Sequence, residues 1–188
     1  MPHFLLYKPY GYLSQFVNNG PKQGKKKLLG ELYAFPKKTM AIGRLDEDSE
    51  GLLLLTTDGK MSELFRSRKV EKEYWAQVDG IISDASLQQL QKGVEIGFEG
   101  KRYTTRSCEV RKIESPELPA RGKKIRDERH GPTSWISITL TEGKFRQVRK
   151  MTAAVGFPTL RLVRSRVGKY ILGEMQAGEI REIDNFII

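Results

Sequence analysis

The chain has one cysteine, Cys108, and two histidines, His3 and His130, among its 188 residues. A single thiol excludes an internal disulfide and suits a reducing cytoplasm, the expected location. So sparse a His/Cys set argues against a zinc site, and no metal is expected. No apolar run approaches the roughly 20 residues that a membrane-spanning helix needs. The opening "MPHFLLYKPYG" has an apolar patch but neither a basic leader nor a small-residue cleavage site, so it does not read as a signal peptide. Repeats and low-complexity tracts are also missing. Hydrophobic residues make up 38% and are evenly spread, which points to a globular chain long enough for one core or for one domain in two lobes.

Positive charge is in surplus. The formal net charge is +10, and residues 121–170 carry 13 Lys+Arg against 3 Asp+Glu, which accounts for all of it. A surplus confined to one segment suggests a polyanionic partner, because phosphates neutralised by Lys and Arg release counterions and drive binding. A bare charge run is more often a solvated face. Here it overlaps segments with strand and helix patterns, which favours nucleic acid. A second basic cluster, "PKQGKKK" (Pro21–Lys27), reads as a mobile loop.

The pattern along the chain predicts an α+β fold with a mostly antiparallel sheet and a few helices. "HFLLYK" is a strand ended by Pro9-Tyr10-Gly11. "LLLLT" (Leu52–Thr56) is short enough to be a strand buried on both faces. "KMSELFRS" is a short helix. "KEYWAQVDG" alternates as a strand with Tyr74, Ala76 and Val78 on one face. "SDASLQQLQKG" is a helix capped by Ser83 and stopped by Gly93, with Leu87 and Leu90 inward. Ser115–Pro132, rich in Pro, Gly and charge, is a long loop. "SWISITL" turns Ile136, Ile138 and Leu140 to one side. "KFRQVRKMTAAVG" reads as a helix with Phe145, Val148, Thr152 and Val155 on its inner stripe. "TLRLVRSRVGKYIL" is a strand whose basic side chains are expected to alternate outward. Trp75 and Trp135 are assigned to packing.

"AIGRLDEDSEGLLLLTTDG" (Ala41–Gly59) places Asp46, Glu47, Asp48, Glu50 and Asp58 around four leucines. Acids in turns bond their own backbone and favour helix N-termini, which suffices for Glu47, Asp48 and Glu50. Asp46 differs in setting, with Gly43 and Arg44 before it and an apolar strand close behind. A carboxylate pair for glycoside cleavage and a single carboxylate acting on a nucleotide both remain open from spacing alone.

The stretch "GRLDEDSEGLLLLTTDG" resembles the signature of RsuA-type pseudouridine synthases, which isomerise uridine in RNA. "YKPYG", "KEYWAQVDG" and "LTEGKFRQVRKMTAAVGFPTLRLVRSRVG" resemble that family's further motifs in the same order, from residue 5 to about residue 173. The "SW" strand and "VGFPTLRLVR" resemble its large-subunit ribosomal RNA branch. The family usually begins with a small S4-type RNA-binding domain, whereas this sequence opens at the catalytic part. Its helix motif usually opens with Asn and ends in a second Arg, where Phe145 and Lys150 stand here. These departures bear on RNA affinity and target choice.

The resemblance implies a single catalytic domain over residues 1–188, two-lobed around a central cleft, with the pseudouridine-synthase fold. It implies Asp46 as the essential aspartate, Arg149 as its cation, Tyr74 stacking on a flipped-out base and Val167 closing the other side. Arg44 is expected at the nucleotide, and Arg146, Lys150, Arg164 and Arg166 at the RNA backbone. Lys8 and Pro9 are expected to be scaffold. The reaction detaches uracil from C1′ and rejoins it through C5, which calls for no cofactor. The expected partner is ribosomal RNA or a pre-ribosomal particle, and the expected state a monomer. A non-catalytic RNA-binding or ribosome-assembly factor on the same fold is the rival, with an RNA glycosidase or nuclease behind it. Loss of Asp46 would mark the first, and a second placed acid or metal ligands the other.

Overall fold

A computed structural model describes residues 1–17, 26–67 and 70–187. Of the basic cluster Pro21–Lys27, residues 21–25 lie outside the described residues. In chain order the strands and helices begin with β1 (His3–Lys8), β2 (Tyr12–Leu13), β3 (Lys27–Leu28), β4 (Met40–Ile42) and β5 (Glu50–Thr56). Then come α1 (Gly59–Ser67), β6 (Lys72–Asp79), α2 (Asp84–Lys92), β7 (Glu95–Phe98), β8 (Lys101–Thr104) and β9 (Glu109–Ile113). The chain closes with β10 (Thr133–Leu140), α3 (Gln147–Ala154), β11 (Thr159–Val167), β12 (Tyr170–Ile171) and β13 (Ile180–Ile183). The class is α+β, as the sequence pattern predicted. Two compact units divide it. The first holds Met1–Val70, Pro119–Gly122 and Arg164–Ile188, and the second Glu71–Leu118 and Lys123–Val163.

In the first unit β1 lies between β13 and β5, antiparallel to both, and β4 pairs antiparallel with β5. Every residue of β5 is buried, and Leu52 to Leu55 are fully so. An unbroken apolar run is what a strand covered on both faces requires. Leu53 and Leu55 pack with Phe4, Leu6 and Leu29 in one cluster, edged by Phe16 and Phe35. Each such leucine contributes about 1.5–3 kcal/mol by leaving water, so β5 anchors whatever its ends carry. Asp58 explains itself locally: its Oδ1 accepts the N–H groups of Lys60 (2.9 Å) and Met61 (3.3 Å) and so caps α1.

In the second unit β10 pairs antiparallel with β6 and β9, and β7 with β8 as a hairpin. Ala76, Val78, Ile136, Ile138 and Leu140 meet Leu87 and Leu90 of α2 and Val148 and Met151 of α3 in its core. Ser83 caps α2 by accepting the N–H of Ser86 at 3.2 Å. Gly93 ends it at φ +102°, where an added Cβ would stand 2.2 Å from the Thr105 carbonyl oxygen, so only glycine fits. The segment "RYTTRSCEVRKI" splits between β8, which pairs with β7, and β9, which pairs with β10. Residues 115–132 form the expected loop, broken by one 3-10 turn at Glu128–His130.

Two expectations fail. The third helix starts at Gln147, because Arg146 takes left-handed angles (φ +53°, ψ +33°). That break rotates Phe145 off the inner stripe and leaves it 66% exposed, while Val148, Met151 and Thr152 are buried. It also leaves Arg146 as the N-cap residue, outside the helix that carries Arg149 and Lys150. Along β11 the cations do not alternate outward: Arg161 is 8% exposed and Arg164 1%.

Candidate active site

Between antiparallel β4 and β5 the chain must reverse, and Gly43–Ser49 does so. Gly43 (φ +67°) supplies left-handed backbone, and the Ser49 N–H closes a turn onto the Asp46 carbonyl at 3.1 Å. Asp46 is half-buried in that turn, Arg44 is exposed and Leu45 is buried. The backbone on both sides of Asp46 is fixed from outside the hairpin. Ser14 Oγ donates to the Leu45 carbonyl at 2.7 Å and accepts the Leu45 N–H at 3.0 Å. The Glu47 carbonyl accepts the Gly11 N–H at 2.8 Å. Arg164 donates from Nε to the Leu52 carbonyl (2.8 Å) and from Nη2 to the Gly43 carbonyl (2.9 Å).

Three of the four other acids of the stretch are tied into the fold. Glu47 pairs with Lys26 at 2.8 Å, Glu50 is buried at the start of β5 and Asp58 caps α1. Lys8 is buried beneath the turn and donates to the carbonyls of Pro9 (2.9 Å), Tyr12 (2.6 Å) and Glu47 (3.5 Å). Burial pushes its ammonium down to about 8, against the opposing pull of Glu50, Asp48, Glu47 and Asp46. Lys8 is thus scaffold of a particular kind, a cation kept under a group of carboxylates.

The sequence-predicted residues fall in both units. Arg44, Asp46, Arg164, Arg166 and Val167 belong to the first, and Tyr74, Arg146, Arg149 and Lys150 to the second. Val167 is buried at the end of β11, paired with Tyr170. Arg166 donates to the Gly168 carbonyl at 2.9 Å. The expected RNA contact of Arg164 is corrected: its guanidinium is buried and committed to two carbonyls, so it positions the Asp46 turn. Tyr74 is partly buried against the second core, on the face it shares with Ala76 and Val78. Arg149 is half-buried on α3, its Nη1 3.5 Å from the Thr159 carbonyl. Lys150 donates to the Gly97 carbonyl at 2.8 Å. Ser14 escaped the sequence reading, since a lone serine three residues beyond "YKPYG" carries no spacing signal. Among the described residues no group of three or more His, Cys, Asp or Glu side chains could hold a metal ion, and no helix is long and apolar enough to cross a membrane.

The α+β scaffold that carries this turn is that of a known class. The family described as RNA pseudouridylate synthase matches residues 2–154, and the chain belongs to it. The chain is 43% identical to the ribosomal large subunit pseudouridine synthase E of Xanthomonas campestris over 183 residues, 96% of this chain and 94% of that one. The Vibrio parahaemolyticus protein of the same name is 43% identical over 178 residues, 94% of this chain and 71% of its own. Ribosomal large subunit pseudouridine synthase B of Bacillus subtilis is 33% identical, over 96% of this chain and 67% of that protein. The fold is that of a solved pseudouridylate synthase, with a TM-score of 0.76 at 24% identity over 97% of this chain and 70% of the other.

Proposed function

We propose that this chain isomerises a uridine of large-subunit ribosomal RNA to pseudouridine, with Asp46 as the essential carboxylate. The observation that carries this is the clamped turn. Gly43, Leu45 and Glu47 are each held by a group from elsewhere in the first unit, so Asp46 has little backbone freedom to lose when substrate arrives. Relatives that are 43% identical and bear the large-subunit name support the substrate class. The action is placed in the cytoplasm, on ribosomal RNA or a pre-ribosomal particle.

In the chemistry, the bond between C1′ and the uracil nitrogen breaks, the base turns, C1′ bonds to C5 as the C5 hydrogen leaves as a proton, and the freed nitrogen takes up a proton. No electrons are gained or lost overall. An ionised Asp46 supplies negative charge where the ribose carbon or base becomes electrophilic, and a cation keeps such a carboxylate charged and aimed. Arg149 is assigned that role. Chemistry on a base within structured RNA requires unstacking it, at a cost of a few kcal/mol. Tyr74 is assigned the replacement stacking face and Val167 the apolar contact opposite. Arg44 is assigned to the nucleotide, and Arg146, Lys150 and Arg166 to nearby phosphates.

Ribosomal RNA carrying tritium at uridine C5 tests the reading, because isomerisation must release that label to water. Wild type is expected to release counts and Asp46→Asn, a nearly isosteric change, to release none while binding RNA as before. Release by Asp46→Asn at the wild-type rate would overturn the site. Tight binding with no release from wild type, on free RNA and on pre-ribosomal particles alike, would instead establish a non-catalytic RNA-binding factor.

A further inference from the structure

The turn between β10 and α3 is built as rigidly as the one that carries Asp46. The Glu142 carboxylate accepts the Tyr103 hydroxyl, the Arg106 N–H at 2.9 Å and Gln147 Nε2 at 2.8 Å. Buried Gln147 also accepts the Lys144 N–H on its Oε1 at 3.0 Å and donates its own N–H to the Lys144 carbonyl at 3.1 Å. The Lys144 ammonium lies 4.6 Å from the centre of the Phe98 ring and 4.9 Å from that of Tyr103. Arg146 then holds a left-handed backbone, which L side chains rarely adopt and which persists where surroundings over-determine it.

This bonding leaves an aromatic side chain in solvent. Phe145 is 66% exposed, beside Lys144 and Arg146 in sequence, with the Lys150 ammonium 5.5 Å from its ring centre. The phenyl ring on this turn gains little burial, with the Lys150 ammonium beside it and Arg146 next in sequence. Apolar ring and cations together complement one kind of partner, in which flat π-faces alternate with phosphates.

We propose that Phe145 is a stacking platform for an unpaired RNA base, with Arg146 and Lys150 directed to the phosphates on either side. This rests on the proposed RNA substrate and adds to it a second contact, at a nucleotide other than the one that reacts. Because every base has a π-face, the contact requires a single-stranded neighbour rather than a particular base.

The full chain is titrated with a single RNA strand of about twelve nucleotides, within the span that single-strand binders cover, and with the same strand lacking its bases. Phe145→Ala is expected to bind the base-bearing strand about ten- to a hundredfold more weakly, the loss that one stacked base commonly represents. Its affinity for the base-less strand and its salt slope should equal those of wild type. Phe145→Trp should keep the affinity, and its indole emission should be quenched by the base-bearing strand, read as the difference from wild type with Trp75 and Trp135. Unchanged affinity in Phe145→Ala, equal loss on both strands, or an unquenched Phe145→Trp would each overturn the platform. Tritium release run alongside separates the two ideas: a wild type that stacks the strand but never releases label sinks the proposed reaction and leaves the platform standing.

Discussion

Ser14 uses one hydroxyl twice, as donor and acceptor to the same residue, and so fixes the peptide groups that flank Leu45 immediately before Asp46. Ser14→Ala leaves a buried N–H and a buried carbonyl without that partner, a loss of about 1–3 kcal/mol in unfolding free energy. The turn would then relax around a carboxylate whose position matters. Urea unfolding should show the loss, and tritium release should show kcat falling with KM nearly unchanged, since no RNA contact is removed. Full kcat in a destabilised Ser14→Ala would mean that the clamp serves stability alone. Arg164 makes the matching clamp at Gly43. Arg164→Gln should destabilise by about 2 kcal/mol or more, as when a buried charge network loses a member. Its salt dependence of RNA binding should stay as in wild type, because a cation committed to two carbonyls releases no counterions from phosphate. A slope flatter by about one would return Arg164 to the RNA surface.

At the scale of elements, α3 depends on the turn that precedes it. The helix receives no side-chain cap from Arg146, so its start is set by the Glu142 network instead. Burial works to raise the Glu142 carboxyl, but hydrogen bonds from Tyr103, the Arg106 N–H and Gln147 outweigh it and hold the group below its ordinary 4.5. A depressed carboxylate adds stability that is present above 4.5 and lost as pH falls through the lowered folded value. Acid titration of unfolding should therefore show wild type losing more stability below about pH 4.5 than Glu142→Gln does. Parallel curves for the two proteins would mean that the carboxylate's charge contributes nothing to the turn.

Over the whole molecule, the basic surplus of residues 121–170 is not a uniform surface. Arg161 and Arg164 are buried, Arg126 pairs with Asp79 at 2.6 Å and Arg129 with Asp127 at 2.6 Å. Fewer cations than the count of 13 are thus open to a polyanion. The buried Lys8 leaves a second global mark. Its folded value, about 8, lies below its ordinary 10.5, so the unfolded chain binds the extra proton between those limits and stability rises with pH across them. Below pH 8 the penalty of the buried charge is fully present, and above 10.5 it is gone. Global unfolding of wild type relative to Lys8→Met should improve from about pH 8 to 10.5. Curves that stay parallel across that range would show that Lys8 keeps its proton on burial.

Features with local causes were legible in the sequence. The apolar run Leu52–Leu55 of β5, Ser83 and Gly93 around α2 and the inward face of β10 follow from period and cap chemistry within a few residues of chain. The likeness of whole motifs identified the family and singled out Asp46. Tertiary structure decided the rest, because it depends on groups far apart in the chain. Arg164 turns inward since carbonyls 112 and 121 residues away accept its guanidinium, whereas strand alternation predicts a cation in water. Ser14 clamps a residue 31 positions on. Phe145 leaves the helix because Glu142 is fixed by Tyr103 and Arg106, 39 and 36 residues before it. Local pattern sets the period in which side chains point. Only long-range hydrogen bonding decides which buried polar groups are satisfied, and with them the turns that carry the site.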